Sequence, residues 1–206
     1  MAALQWVSYP NGLFSIERPV HIIYLHGFCS SMASFKAQLV KNYIEQTEGF
    51  TLFLSDLPPS PAEAMSLIES HINSLGHQHW AVIGSSLGGF YATYLSEKYG
   101  RKGVLINPAV NAPRLLEKLL GKNKNYHTGE VFDFTEQHLK ELKALYVPVL
   151  KQPQNLLLLT QTGDEVLDYQ QGVDYYQGSE QVVIEGGDHG FSDYENYLDT
   201  TFDFLS

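Results

Sequence analysis

The sequence holds a single cysteine, Cys29, which excludes an internal disulfide and any metal centre built from several thiolates. Basic side chains are also scarce, with 13 Lys and Arg against 23 Asp and Glu and a formal charge of −10. That balance disfavours contact with a phosphate backbone, so nucleic acid is not an expected partner. No apolar run approaches the ~20 residues that span a bilayer. Residues 1–19 lack a basic segment leading into a continuous apolar core, so the expectation is a cytoplasmic protein with no membrane span. Repeats, low-complexity tracts and polar linkers are missing as well, and 206 residues suit one domain. Monomer and dimer both remain open.

What is present is a rhythm. Apolar residues make up 44% of the chain, enough for a packed core. Short, near-continuous apolar runs fall at 20–25, 51–55, 80–84, 103–107, 155–161 and 181–185, the pattern of parallel strands covered on both faces. Helical periodicity falls between and after them, at 32–46, 61–75, 87–99, 165–177 and 193–205. This alternation predicts a three-layer α/β fold with a mostly parallel central sheet and right-handed crossovers. Two parts depart from the rhythm. Pro10-Asn11-Gly12 is a turn signal, so residues 1–19 are expected to form an edge hairpin or a loose arm. Residues 108–153 exceed one crossover and predict an insertion of two helices, about 112–121 and 135–145, around a polar loop. Such an insertion is placed to cap the ligand side of the sheet.

The stretch VIGSSLGGF joins an expected strand to an expected helix. A nucleophile on such a bend needs small residues two before and two after it, because the chain doubles back on itself there. Gly84 and Gly88 satisfy this for Ser86, whereas centring the bend on Ser85 would place Ile83 and Leu87 at the crowded positions. A serine hydroxyl needs a base, and the base needs an orienting acid. Asp164, just past the 155–161 strand, is the candidate acid, with Glu165 and Asp168 as alternatives; it also suits a helix N-cap. His189, between glycines past the last strand, is the candidate base. The order Ser86, Asp164, His189 is the serine, acid, histidine order of one hydrolase architecture. The N–H of Leu87 and that of Phe28, with Cys29 as the alternative, are the expected oxyanion donors. Gly27 permits the sharp turn that aims the second of these, from the loop after the first strand, inward.

Other candidates read more plainly. His26 is expected to be a structural hydrogen-bonding residue, Asp188 a loop residue facing water, and Cys29 a buried spectator. His77 and His79 form H-x-H, yet no carboxylate or cysteine motif accompanies them, so no metal is expected. Arg114, Lys118, Lys122 and Lys124 read as a solvated face, with attraction of acyl-CoA phosphates as the functional alternative.

Together, YLHGFCSS, LPPSP, GSSLGGFYATYLSEKYG, INPAV, YHTGE, TGDEVLDY and VIEGGDHGF make residues 20–206 resemble the α/β-hydrolase superfamily, and within it the small bacterial YqiA-type esterases. The resemblance implies a carboxylesterase or thioesterase that uses no cofactor and carries a triad at Ser86, Asp164 and His189. Short to medium acyl esters or thioesters, acyl-CoA included, are the expected substrates. A small lipase or peptidase, or a binding protein that keeps the fold without turnover, are the alternative readings.

Overall fold

The computed structural model describes residues 5–8, 14–17 and 19–206. β1 (Gln5–Ser8) and β2 (Phe14–Glu17) pair antiparallel as a separate two-stranded sheet. The Pro10-Asn11-Gly12 turn signal between them lies outside the described residues.

The apolar runs form β3 (Val20–Leu25), β4 (Phe50–Leu54), β5 (Trp80–Ser85), β6 (Gly103–Ile106), β9 (Leu156–Gln161) and β10 (Glu180–Ile184). They make one six-stranded sheet in the order β10-β9-β6-β5-β3-β4, with every pairing parallel. Side chains alternate between its two faces, as the period of a strand requires. Ile22, Tyr24, Ala81, Ile83, Val104, Ile106, Leu157 and Leu159 point to one face, where α1 (Phe35–Gln46) and α7 (Leu198–Leu205) cover them. Ile23, Leu25, Val82, Leu105, Leu156 and Leu158 point to the other, under α2 (Pro61–Ser74), α3 (Leu87–Tyr99) and α5 (Glu136–Leu145). Both faces are buried, which is why these strands read as continuous apolar runs rather than as alternating ones.

The insertion differs from two helices around a loop. α4 (Ala112–Leu116) runs into a single 3-10 turn at Glu117–Leu119, and the segment expected to be a polar loop is a hairpin of β7 (Gly121–Lys124) and β8 (Val131–Phe134). GKNK carries no apolar alternation, so nothing local marked it as a strand. Downstream, α6 spans only Tyr169–Tyr175, capped by the Asp168 carboxylate on the Gln170 N–H. The expected start at 165 is therefore early by about one turn.

The sheet reverses direction of growth between β3 and β5: the chain leaves β3 for β4 on one side, then returns to β5 on the other. Ligands in open parallel sheets bind beyond the carboxyl ends at such a switch point. The loop after β3 and the turn after β5 both open there.

Away from this point, His21 on β3 is buried between Thr51 and His71. Its Nδ1 lies 2.7 Å from Thr51 Oγ1 and its Nε2 lies 2.8 Å from His71 Nε2, while the Phe53 ring stacks on His71. Burial, then the charge of His71, pushes the His21 imidazole down to about 4. The folded chain therefore disfavours a proton that the unfolded chain accepts near 6.5. Stability should be fully present above that value and should fall as pH drops toward about 4, by up to ~3 kcal/mol. Thermal melts across pH 7 to 4 check this; a His21→Asn variant should show a flatter acid limb, and an unchanged limb would remove His21 as its source.

Candidate active site

The turn after β5 is built by exclusion of side chains. Ser86 adopts φ 55 and ψ −117, outside the regions favoured by residues with a Cβ, at a cost on the order of 1–3 kcal/mol. A Cβ on Gly84 would stand 2.2 Å from the Gly88 carbonyl oxygen, and one on Gly88 would stand 2.0 Å from that of Leu25. Both contacts are with backbone, which has nowhere to retreat. Gly89 lies against Pro108 in the same way, with 2.7 Å between its would-be Cβ and the proline Cβ. The bend is held from outside as well: Ser86 N–H donates to the Ile106 carbonyl and the Ser86 carbonyl accepts from Ala109 N–H, each at 3.0 Å.

Two distant loops bring partners to this serine. His189 Nε2 lies 3.1 Å from Ser86 Oγ, and His189 Nδ1 lies 2.8 Å from Asp164 Oδ2. The Asp164 side chain is 1% exposed and that of His189 21%. The other carboxylate oxygen, Asp164 Oδ1, accepts the N–H groups of Val166 and Leu167 at 2.9 and 2.8 Å. Burial opposes ionisation of Asp164, but the His189 hydrogen bond and the two N–H groups outweigh it and hold the carboxyl below its ordinary range. Asp164 thus braces its own loop and orients the imidazole, while Glu165 is not a competing acid: its Oε2 accepts the His189 backbone N–H at 2.9 Å.

The histidine loop is held by residues the sequence did not single out. Asn107, at the end of β6 with φ 41 and 2% exposed, donates Nδ2 to the carbonyls of Asp188 and His189 at 3.0 and 3.2 Å. Its Oδ1 accepts Gln161 N–H. Gln161 Oε1 accepts the Asp188 N–H, and a Cβ on Gly187 (φ 78) would stand 2.2 Å from that Gln161 side chain. Replacing Asn107 by alanine should therefore lower kcat/KM about tenfold and cost ~1–3 kcal/mol of stability, since two carbonyls lose their donor. Ester turnover and melting measured on one preparation check both; wild-type kcat/KM would remove Asn107 from the support of His189.

The loop after β3 sits directly on Ser86, with a Cβ on Gly27 placed 3.2 Å from Ser86 Cβ. Among the described residues, neither Phe28 N–H nor Leu87 N–H has a protein acceptor. Leu87 is the first residue of α3, so its free donor also carries the positive end of the helix dipole. A cleft of about 340 Å³ lies on one side, lined by Ser86, His189, Lys36, Tyr126 and His127. A smaller one of about 90 Å³ lies on the other, lined by Phe28, Leu57, Leu87, Tyr91 and Phe132.

The remaining candidates fall outside this line of groups. His26 Nδ1 donates to the Gly27 carbonyl and Nε2 accepts Leu57 N–H, which fixes a neutral ring braced on two loops. Cys29 is 8% exposed and burial raises its thiol, so it is a poor nucleophile. Asp188 enters through its backbone. His79 Nδ1 accepts from Arg101 Nη1 at 3.1 Å, a cation that opposes a metal there. Arg114 and Lys118 share a groove with Asn111, Leu115 and Gln171, and Lys122 and Lys124 are exposed on the hairpin; none of the four lines either cleft beside Ser86. Lys36, on the first turn of α1, was not foreseen. Its ammonium donates to the Gly190 carbonyl, and burial pulls it down to about 8 against the opposing charges of Asp188 and Asp164.

A six-stranded parallel sheet, two covering helical layers and a serine at a strained strand-to-helix bend define an α/β-hydrolase. The chain belongs to the uncharacterised protein family UPF0227, whose sequence model matches residues 21–206. Both findings bear out the resemblance read from the motifs. Solved structures with this fold include mouse alpha/beta hydrolase domain-containing protein 10, which is 18% identical with TM-score 0.67 and coverage of 100% of each chain. The esterase domain of a Rhodothermus marinus protein is 17% identical with TM-score 0.66, covering 97% of this chain and 95% of that one. The Paleococcus ferrophilus monoacylglycerol lipase is 16% identical with TM-score 0.65, covering 92% and 96%. No helix among the described residues is long and apolar enough to cross a membrane.

Proposed function

We propose that this protein hydrolyses carboxylic esters or thioesters through a serine-bound acyl intermediate. The observation that carries the reading is the hydrogen-bonded line Ser86 Oγ, His189 Nε2, His189 Nδ1 and Asp164 Oδ2, at 3.1 and 2.8 Å. Ser86 attacks the carbonyl carbon as its proton passes to His189 Nε2. Asp164 holds the imidazole with its Nδ1 proton inward and stabilises the imidazolium that forms. The N–H groups of Phe28 and Leu87 receive the oxyanion. His189 then returns the proton to the departing alcohol or thiol, and water repeats the sequence on the acyl group.

Residues 108–153 act as a cap that borders both clefts, and the small volume of the smaller cleft, about 90 Å³, favours short to medium acyl chains. Neighbours named as an esterase domain and as a monoacylglycerol lipase are in line with an ester as substrate. The test is covalent labelling with a fluorophosphonate, in which the Ser86 oxygen displaces fluoride from phosphorus. Wild-type protein should label and Ser86→Ala should not. A panel of p-nitrophenyl esters and acyl-CoAs of increasing length then reads the chain preference. A wild-type protein that neither labels nor turns over any ester would leave a pocket without an activated serine.

A further inference from the structure

The loop that carries the Phe28 N–H is held in a strained conformation. Its next residue, Cys29, has φ 54, a conformation that residues with a Cβ disfavour and that persists only where the surroundings impose it. The imposing element is the β7–β8 hairpin, which holds three consecutive residues of the loop by three different contacts. The Phe28 ring packs edge-on against Phe132 and Phe134 of β8, with centroids 5.7 and 5.2 Å apart. Tyr126 N–H donates to the Cys29 carbonyl at 2.8 Å. Asn125 Nδ2 donates to the Ser30 carbonyl at 2.7 Å.

Asn125 does this from a fixed position. Its Oδ1 accepts the N–H groups of His127 and Thr128 at 2.9 and 3.0 Å, and its own N–H donates to the Glu130 carbonyl at 2.8 Å. One side chain therefore shapes the hairpin tip with its oxygen and grips the oxyanion loop with its nitrogen. That division fixes which end of the amide is which.

Resting on the serine hydrolase reading, we infer that the β7–β8 hairpin is the strut of the oxyanion hole and that Asn125 is a positioning residue for the Phe28 donor. The hairpin lies in the insertion rather than in the sheet. Transition-state stabilisation is thus set partly by an element outside the layers that carry Ser86 and His189.

Asn125→Asp isolates the grip. Aspartate keeps an oxygen for His127 and Thr128 but turns an unprotonated oxygen toward the Ser30 carbonyl, so the tip should persist while the hold on the loop is lost. With a p-nitrophenyl ester, kcat should fall by about tenfold or more while KM stays within about twofold, because the donor acts on the transition state and not on the bound ester. Binding of a trifluoromethyl ketone, which forms an oxyanion adduct with Ser86, should weaken by the same factor. Phe134→Leu, a change on the Phe28 ring at a residue that lines neither cleft, should show the same pattern at smaller size and serves if Asn125→Asp does not fold. Wild-type kcat in a folded variant, or a lower kcat with unchanged inhibitor affinity, would overturn the inference. The control is Ser86→Ala: if it stays active, the hydrolase reading itself has failed, and if it is inactive while Asn125→Asp is normal, only the strut has.

Discussion

Ser86→Ala is expected to lower kcat for a p-nitrophenyl ester by about 10³ to 10⁶, with the chain still folded. The loss is large because, in the proposed mechanism, the hydroxyl is the bond-forming group and His189 and Asp164 act only through it. What remains is the oxyanion pair, which by itself leaves a modest acceleration over water. Folding should be unaffected for a local reason. The φ 55 of Ser86 is imposed by the Gly84–Gly88 contact and by the hydrogen bonds to Ile106 and Ala109, and alanine makes the same demands on the backbone as serine. Circular dichroism and melting on the variant should match wild type while turnover is lost. Substantial turnover in purified variant protein would take the reaction away from this serine.

Asp164→Asn is the second large effect, expected at about 10² to 10⁴ in kcat. Its cause is the placement of one proton. In the proposed reaction the carboxylate accepts the His189 Nδ1 proton, 2.8 Å between the heavy atoms, which leaves Nε2 bare to take the proton of Ser86. An amide nitrogen facing Nδ1 donates instead, and the ring then carries its proton on Nε2, where it blocks the serine. Because an asparagine oxygen still accepts from Val166 and Leu167, the loop should stay in place and the defect should be chemical rather than structural. Nitrogen-15 spectra of the imidazole should report the tautomer change alongside the kinetics. Loss of activity without it would point to loop collapse instead.

The sheet and the bend were legible in the sequence because they obey local rules. Strands with both faces covered must be apolar throughout, so VHIIYL and LLLLTQ declared themselves within a residue of their observed ends. Ser86 was legible because sterics leave one choice of frame between Gly84 and Gly88. Asp164 and His189 came from their order past the last strands. The supports were hidden for the opposite reason. Asn107 and Gln161 act on backbone groups more than twenty residues away, and their residue types occur in any loop. The hairpin was missed because Lys122, Asn123 and Lys124 have no apolar face, and its order comes from Phe132 and Phe134 meeting Phe28 across the fold. Lys36 sat in an ordinary helical pattern with nothing to mark its approach to Gly190.

The strand that delivers the imidazole is the outermost of its row, zipped to β9 alone, whereas the one that delivers the hydroxyl is flanked on both sides. Peeling at that border, once the Asn107 and Gln161 contacts let go, would carry residue 189 away while the interior stays intact. Loss of turnover and melting of the core are therefore expected to be separable, with turnover the first to go.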